Sequence, residues 1–248
     1  MCSSDLREGV LKKVPQQKLD RLLRIPLLNK VVKQKIRKGL GLSKAKVILS
    51  AAAPISLEML LWYERLGITI LQVYGMTEDS VYAHFNRRGL NRFGSVGKPL
   101  PGLQVKFSDE GEILVKSPGN FLGYYKEPAL TASAFDPEGY LKTGDKGEYD
   151  HDGYLYITGR IKDQFKTDKG KYISPAPIEL QLLHNKHIEQ ACVVGMGIPQ
   201  PIALIVLAES GKQCPRNQLQ AELNSFLDEL NPRLENFEQL EKIIVLRN

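Results

Sequence analysis

Two charged residues, Asp145 and Arg160, lie at the ends of short apolar strands in the second half of the chain. Each follows a glycine, Gly144 or Gly159, and a glycine lets a ligand come close to the backbone. An ionised aspartate accepts two hydrogen bonds, so Asp145 could hold two adjacent hydroxyls of a sugar while Arg160 donates to the same ring. The pattern therefore indicates a ribose site. A hairpin with Asp and Gly at its turns would give the same pattern.

A second segment places a hydroxyl and a carboxylate after another apolar strand. Residues 68–74 read Ile-Thr-Ile-Leu-Gln-Val-Tyr, and Gly-Met-Thr-Glu follows at 75–78. Tyr-Gly-x-Thr-Glu, then Thr-Gly-Asp at 143–145 and Gly-Arg-x-Lys-Asp at 159–163, resembles the ordered motifs of the adenylate-forming superfamily. That superfamily contains acyl-CoA synthetases, luciferases and the adenylation domains of peptide synthetases. Three motifs in this order are far more specific than any one of them.

The resemblance implies a reaction in two steps. A carboxylic acid attacks the α-phosphate of ATP to give an acyl-adenylate and pyrophosphate, and a thiol, usually that of coenzyme A, then displaces AMP. The protein would act mainly by positioning the reactants and stabilising charge. The cofactors implied are ATP or AMP, Mg²⁺ and coenzyme A.

The same resemblance assigns roles to residues around the nucleotide. Glu78 matches the carboxylate that holds magnesium, and a carboxylate is a hard oxygen ligand suited to an ion that bridges phosphates. Thr77 matches a hydroxyl near the α-phosphate, and Tyr74 would lie beside the adenine. A run of alanines after a short strand would form the adenine wall, although such a run also suits packing under a helix. The predicted nucleotide-binding set is Ala51, Ala52, Ala53, Tyr74, Gly75, Met76, Thr77, Asp145 and Arg160.

Two lysines are assigned by their position relative to the motifs. Lys162, two residues after Arg160, matches the hinge about which a small C-terminal domain rotates between the two half-reactions, and we group it with Thr77 and Glu78 as catalytic. Lys171 lies where the tunnel for the thiol donor is formed and would meet a coenzyme A phosphate. For either lysine the alternative is an exposed side chain in solvent.

The order of apolar segments predicts the fold class. A strand at 46–50, a helix capped by Ser56 and a strand at 68–73 form a parallel crossover unit, and ligands gather at the carboxyl ends of such strands. Glycine-punctuated short strands after residue 92 predict an antiparallel sheet or a small barrel. The remainder has an α+β pattern, so the expected class is α/β and α+β.

The domain boundary is expected at residues 160–163. Residues 1–160 would be the C-terminal part of a large AMP-binding domain, and residues 161–248 a small, mobile, truncated C-terminal domain. Two features of the resembled family have no counterpart: a Ser/Thr/Gly-rich phosphate loop ending in Pro-Lys-Gly, and a terminal Gly-x-x-Thr-x-x-x-Lys segment. We therefore expect a fragment that is inactive alone.

Composition is that of an ordinary globular protein. The 248 residues are 42% hydrophobic and 25% charged, and no run of about 18 apolar residues predicts a membrane span. A cytoplasmic location is expected. The three cysteines show no spacing typical of a disulfide framework or a zinc site.

A basic block occupies residues 12–38, with ten Lys or Arg residues against a single acid, Asp20. Such a block could contact an anionic membrane surface peripherally, or it could be a solvated helix face. It contains no aromatic residue on which a base could stack, so no nucleic-acid partner is expected.

The sequence as a whole predicts part of an ATP-dependent long-chain fatty acid–CoA ligase, whose partners would be a fatty acid, ATP and coenzyme A. The phrasing around 159–166 and 170–175 most resembles the long-chain fatty acyl-CoA synthetases. An aryl-CoA ligase and a non-catalytic nucleotide-binding remnant are the alternatives.

Overall fold

The structure, a computed structural model, describes residue 10, residues 16–53 and residues 55–246. In this part of the chain two helices come first, α1 (Gln16–Arg24) and α2 (Pro26–Gly39). Pro26 occupies the first turn of α2, where the N–H that proline lacks would have had no partner within the helix. Helix α2 ends with Gly39.

The apolar side of α2 is used in the core. Val32 and Ile36 pack against a buried cluster formed by Leu19, Leu60, Trp62, Tyr63, Leu66, Ile68 and Ile70. Ile25, Leu28 and Val31 stay exposed beside the basic residues. None of the described helices is both long and apolar enough to cross a membrane. Lys12 and Lys13 lie outside the described residues, and membrane contact through the basic block stays a prediction.

A parallel crossover unit follows. Strand β1 (Leu49–Ser50) leads through helix α3 (Leu57–Arg65) to strand β2 (Leu71–Tyr74), and Ser50 pairs with Gln72 in parallel register. The Ser56 hydroxyl accepts a hydrogen bond from Met59 N at 3.2 Å, which confirms the predicted cap. Both strands are shorter than the apolar runs that predicted them, because hydrophobic periodicity does not locate where pairing stops.

Strands β3 (His84–Phe85) and β4 (Lys98–Pro99) complete this first sheet, whose order is β1-β2-β3-β4. Both pair in antiparallel register. Strands of two residues have no periodicity of their own, which explains why the sequence did not place 98–99 in the α/β unit.

The second sheet is an antiparallel meander of β5 (Gln104–Phe107), β6 (Glu112–Lys116), β7 (Leu141–Tyr149) and β8 (Leu155–Arg160). Helix α4 (Pro128–Ala134) lies in the connection between β6 and β7. The buried side chains at the core of this sheet are Ile113, Val115, Leu141 and Leu155. Of the two sequence alternatives, the open antiparallel sheet is the one observed.

Gly97 lies where the two sheets meet. The backbone of Val96 and Gly97 bonds to β8 of the second sheet. Val96 N donates to Leu155 O at 2.8 Å, and Leu155 N donates to Gly97 O at 3.0 Å. Gly97 has φ +93°, and a Cβ atom built there would lie 2.0 Å from the carbonyl carbon of Phe85. The close approach of this backbone to β3, on the side away from β8, therefore requires glycine.

A buried histidine also joins the two sheets. His84 Nε2 lies 2.7 Å from the Tyr149 hydroxyl, and His84 is fully buried. Burial lowers the pKa of His84 from 6.5 to about 4, and burial raises the pKa of Tyr149 to about 12. Both groups are therefore neutral at pH 7.

This burial makes stability depend on pH. Below pH 6.5 the unfolded chain takes up a proton at His84, and the folded chain does so only near pH 4, so acid favours unfolding. The part of the free energy of unfolding that depends on neutral His84 is fully present above pH 6.5. It is lost between about pH 6.5 and 4, and the loss is about 3 kcal/mol. Urea unfolding at pH 7.5, 5.5 and 4.5 should show this loss in the wild type and a flatter profile in His84→Gln.

His151→Gln is the matched control, because the His151 side chain is 85% exposed. Its pH profile should follow that of the wild type. Parallel profiles for the wild type and His84→Gln would contradict the assignment to His84.

The C-terminal part of the described chain is an α+β unit. Its elements are β9 (Phe165–Lys166), β10 (Tyr172–Ile173), α5 (Pro175–Leu182), β11 (Ile188–Val194), β12 (Ile202–Leu207), α6 (Glu209–Lys212), α7 (Arg216–Leu230) and β13 (Ile243–Val245). A small hairpin of β9 and β10 precedes helix α5, and a three-stranded sheet of order β11-β12-β13 packs against the last long helix, α7. Strand β13 pairs parallel to β12, with Ala203 opposite Ile243.

The predicted fold class is confirmed: a mixed α/β arrangement with several sheets, followed by an α+β unit. The junction near residue 160 is spanned by hydrogen bonds, including one from Ile161 N to Gly144 O at 2.8 Å and one from Lys146 Nζ to Gln164 Oε1 at 3.5 Å. The division of the chain into two domains at 160/161 stays a prediction.

Candidate functional site

Two predicted residues, Tyr74 and Arg160, contact the carboxylate of a third, Asp145, and the three lie on three different strands. The Tyr74 hydroxyl, at the end of β2, donates to Asp145 Oδ2 at 2.9 Å. Arg160 Nε lies 2.9 Å from Asp145 Oδ1, and the two residues are register partners across β7 and β8. Asp145 thus has one protein partner on each oxygen, and each carboxylate oxygen can still accept a second hydrogen bond.

The backbone around Asp145 is held by buried hydrogen bonds. The buried Thr143 hydroxyl donates to Ile113 O at 2.7 Å, and Asp145 N donates to the same hydroxyl at 3.1 Å. Across the strand pair, Ile161 N donates to Gly144 O at 2.8 Å. The position of the Asp145 carboxylate is therefore fixed by the second sheet rather than by a free loop.

The electrostatics keep Tyr74 as a donor. Burial raises the pKa of Tyr74 well above its ordinary value, and the nearby charge of Asp145 raises it further. The phenol therefore stays protonated and donates to Asp145. The Asp145 side chain is 18% exposed and that of Arg160 is 59% exposed, so the group opens to solvent on the arginine side.

Beyond Tyr74 the chain makes a tight turn that presents Thr77 and Glu78. A short 3-10 helix covers Thr77–Asp79, and Met76 N donates to Asp79 Oδ1 at 2.8 Å. Asp79 is fully buried, and burial raises its pKa. A Cβ on Gly75 would lie 2.6 Å from the Cα of Val81, so the turn needs glycine there. Thr77 is exposed and Glu78 half-buried as a result.

Glu78 is held by the segment ahead of α4. Tyr124 donates its hydroxyl to Glu78 Oε1 at 2.9 Å, and Phe121 N donates to Glu78 O at 2.6 Å. The Gly-Tyr-Tyr stretch of this segment carries no local sign of which hydroxyl would reach Glu78.

The three alanines follow β1 directly. Ala53 N donates to Ala51 O at 2.9 Å in a tight turn, Ala52 has φ +71°, and all three are exposed. Since β1 and β2 run parallel, this turn lies at the same edge of the sheet as Tyr74. The predicted adenine wall and the predicted adenine neighbour therefore share one edge.

The two lysines lie apart from these contacts. Lys162 is exposed just after β8. Lys171 is exposed in the β9–β10 turn, and its ammonium lies 5.8 Å from the ring centroid of Phe237. Neither contributes to the hydrogen bonds around Asp145, so their roles stay predictions.

Sequence reasoning missed two residues that support the site, Asp79 and Tyr124. The spacing from Met76 to Asp79 is that of a side chain closing a turn on the backbone N–H three residues earlier, so Asp79 carried a local signal. Tyr124 is 46 residues from Glu78 and carried none.

Two cysteines lie among the described residues, and one of them approaches other possible metal ligands. Donor atoms of His187, Cys214 and Glu222 lie within 4.8 Å of one another. Glu222 already accepts hydrogen bonds from Gln218, His187 and Lys186, which lower its pKa to about 2. This cluster is a hydrogen-bonded network around an ionised glutamate.

Comparison with known families identifies both parts of the chain. The family model described as AMP-binding enzyme matches residues 16–125, and the model described as AMP-binding enzyme C-terminal domain matches residues 162–248.

Individual relatives are CoA ligases that act on different acids. The long-chain-fatty-acid–CoA ligase FadD15 of Mycobacterium bovis is 37% identical over 181 residues, which are 73% of this chain and 30% of that protein. The malonate–CoA ligase of Arabidopsis thaliana is 36% identical over 159 residues, covering 60% of this chain and 26% of the relative. This chain thus spans less than a third of the length of the curated relatives that it matches.

A solved structure agrees in fold. The crystal structure of the anthranilate CoA ligase AuaEII, in complex with anthranoyl-AMP, has a TM-score of 0.71 and 27% identity, covering 84% of this chain and 42% of that one. The motifs, the direct contacts among Tyr74, Asp145 and Arg160, and the two matching family models agree. The chain belongs to the family of AMP-binding enzymes and contains residues of both the AMP-binding and the C-terminal domain.

Proposed function

We propose that this chain is part of an ATP-dependent acid–CoA ligase that acts on long-chain fatty acids. The reaction would form an acyl-adenylate from the acid and ATP, and then a thioester with coenzyme A. The sequence relatives favour a fatty acid as the substrate. The relative named for malonate shows that the family members similar to this chain differ in their acids.

The single observation that carries the proposal is the contact group of Tyr74, Asp145 and Arg160. Three separated motifs meet around one carboxylate, with a distance of 2.9 Å on each side. An ionised carboxylate with remaining acceptor capacity, beside a half-exposed guanidinium, suits the two adjacent hydroxyls of a ribose. In this proposal Asp145 and Arg160 orient the sugar, while Tyr74 and the Ala51–Ala53 turn contact the base.

Glu78 fits the proposed magnesium site. It lies on the turn that follows Tyr74, and its Oε2 has no hydrogen-bond or ion-pair partner among the described residues, whereas Oε1 is bonded to Tyr124. A carboxylate oxygen free to coordinate is the ligand type that Mg²⁺ prefers. When bound, the ion would offset the negative charge of the phosphates. Thr77, exposed beside Glu78, would donate its hydroxyl near the α-phosphate.

The C-terminal residues would serve the second step. Lys162 follows β8 directly and is proposed as the hinge, and Lys171 is proposed to meet a phosphate of coenzyme A. Both side chains are exposed, which leaves them free for such roles.

Binding of acyl-adenylate analogues tests this proposal without requiring turnover. We expect calorimetric titration to show binding of AMP, and displacement of AMP by a long-chain fatty-acyl sulfamoyl adenosine at lower concentration than by its benzoyl counterpart. Preference for the benzoyl analogue would favour an aryl-CoA ligase, the second candidate, which the similarity to AuaEII supports. Absence of AMP binding would overturn the nucleotide site itself.

Turnover is expected to be minimal in the 248-residue chain by itself. It contains no Pro-Lys-Gly phosphate loop and no terminal Gly-x-x-Thr-x-x-x-Lys segment. ATP–pyrophosphate exchange with a panel of fatty acids should stay near background. Robust exchange would contradict this expectation, and AMP binding without exchange in a longer parent chain would favour a non-catalytic remnant.

A further inference from the structure

The segment at residues 121–124 makes two hydrogen bonds to Glu78. Phe121 N donates to the Glu78 carbonyl at 2.6 Å, and the Tyr124 hydroxyl donates to Oε1 of its carboxylate at 2.9 Å. The carboxylate therefore has one oxygen engaged by the protein and the other available.

Tyr124 is itself held firmly. Its ring packs edge-on against Phe121 with centroids 4.8 Å apart, and Phe121 stacks on Phe135 at 5.7 Å. The backbone N of Tyr124 donates to Thr131 Oγ1 at 2.9 Å, which fastens the segment to α4. A hydroxyl held by an aromatic stack and a helix can fix the rotation of the carboxylate that it contacts.

We propose that Tyr124 is a positioning residue for the metal carboxylate. By binding Oε1 it would fix the orientation of the Glu78 carboxylate and leave Oε2 available to hold the ion. Tyr124 acts through Glu78 and touches neither the nucleotide nor the ion. This inference rests on the proposed function, because it takes Glu78 as the magnesium ligand.

The chain supplies a closely matched control. Tyr125 is the next residue, and it is 85% exposed. Tyr124→Phe removes one hydroxyl and keeps the aromatic stack, and Tyr125→Phe removes one hydroxyl from a side chain in solvent. The two variants therefore differ only in whether Glu78 loses a hydrogen bond.

The experiment measures uptake of Mn²⁺ by the ATP-saturated chain, followed by electron paramagnetic resonance, with thermal unfolding as the check on folding. Loss of an outer partner of a metal ligand typically weakens metal binding about 10-fold to 100-fold, and we expect that range for Tyr124→Phe. Tyr125→Phe should bind as the wild type does, and Glu78→Gln should lose metal uptake. ATP affinity in the absence of metal should be unchanged in Tyr124→Phe.

The outcomes separate the two proposals. If Glu78→Gln loses metal uptake and Tyr124→Phe matches the wild type, Tyr124 does not position the carboxylate, and the magnesium assignment stands. Normal Mn²⁺ binding by Glu78→Gln would overturn the assignment of Glu78 as the metal ligand, and so would absence of Mn²⁺ uptake by the unmodified chain with ATP. Either result would also overturn the inference about Tyr124. A drop in thermal midpoint for Tyr124→Phe without a change in metal affinity would show a structural role and overturn the inference.

Discussion

Gly97→Ala is expected to destabilise the protein by more than about 4 kcal/mol, enough to prevent folding of many domains. The added methyl would lie 2.0 Å from the carbonyl carbon of Phe85 and 2.2 Å from Asn86 N. Both are backbone atoms, which a rotamer change cannot move aside. Since Val96 N and Gly97 O bond to Leu155 in β8, the backbone at 96–97 could move away from Phe85 only by breaking its pairing with β3 and disturbing those bonds. The measurement is urea unfolding, or the soluble fraction if the variant does not fold.

Gly102→Ala isolates the part of this effect that is due to backbone conformation. Gly102 also has a positive φ, +82°, but a Cβ there meets nothing within 4 Å. Gly102→Ala should therefore lower the free energy of unfolding by only about 1–2 kcal/mol, the strain of an alanine in the left-handed conformation. Equal losses in the two variants would show that the backbone of Gly97 packs less closely against Phe85 than the structure indicates.

Asp145→Ala is expected to weaken AMP binding by at least about 100-fold. A hydrogen bond to a charged group contributes about 1.5–3 kcal/mol, and two ribose hydroxyls would lose their acceptor. The change also removes the partner of Tyr74 and of Arg160, whose guanidinium would no longer be held in place. Calorimetric titration with AMP measures the effect.

Asp145→Asn separates loss of binding from loss of structure. It keeps the size of the side chain and one acceptor, so we expect weakened binding with little change in thermal midpoint. Asp109→Ala, in the exposed turn between β5 and β6, should bind AMP as the wild type does. Wild-type affinity in Asp145→Ala would remove the ribose role from this carboxylate.

Local signals in the sequence were sufficient for the parts of the fold that depend on near neighbours. Ser56 caps α3 because a serine hydroxyl can reach an amide three residues on, and the crossover unit follows from strand, helix and strand in succession. Asp145 and Arg160 were predicted to act on the same ring, and their pairing across β7 and β8 brings them together.

Contacts between the two sheets could not be predicted in this way. His84 and Tyr149 are 65 residues apart and Tyr74 and Asp145 are 71 apart, and no periodicity within either segment encodes such a pairing. Motif resemblance grouped Tyr74 with Asp145, but it did not connect His84 with Tyr149 or Tyr124 with Glu78. The limits of β3 and β4 could not be predicted for a similar reason, because strands of two residues are defined by their pairing partners alone.

The end of β8 joins two of the proposed roles. Arg160 is the last residue of that strand, and the match to the C-terminal domain begins two residues later, at 162. If Arg160 binds the ribose and Lys162 is the hinge, as proposed, a sugar that immobilises the guanidinium would also immobilise the point from which the following residues depart. A bound nucleotide would then restrict the orientation of the residues after 162, and release of AMP would be coupled to their reorientation.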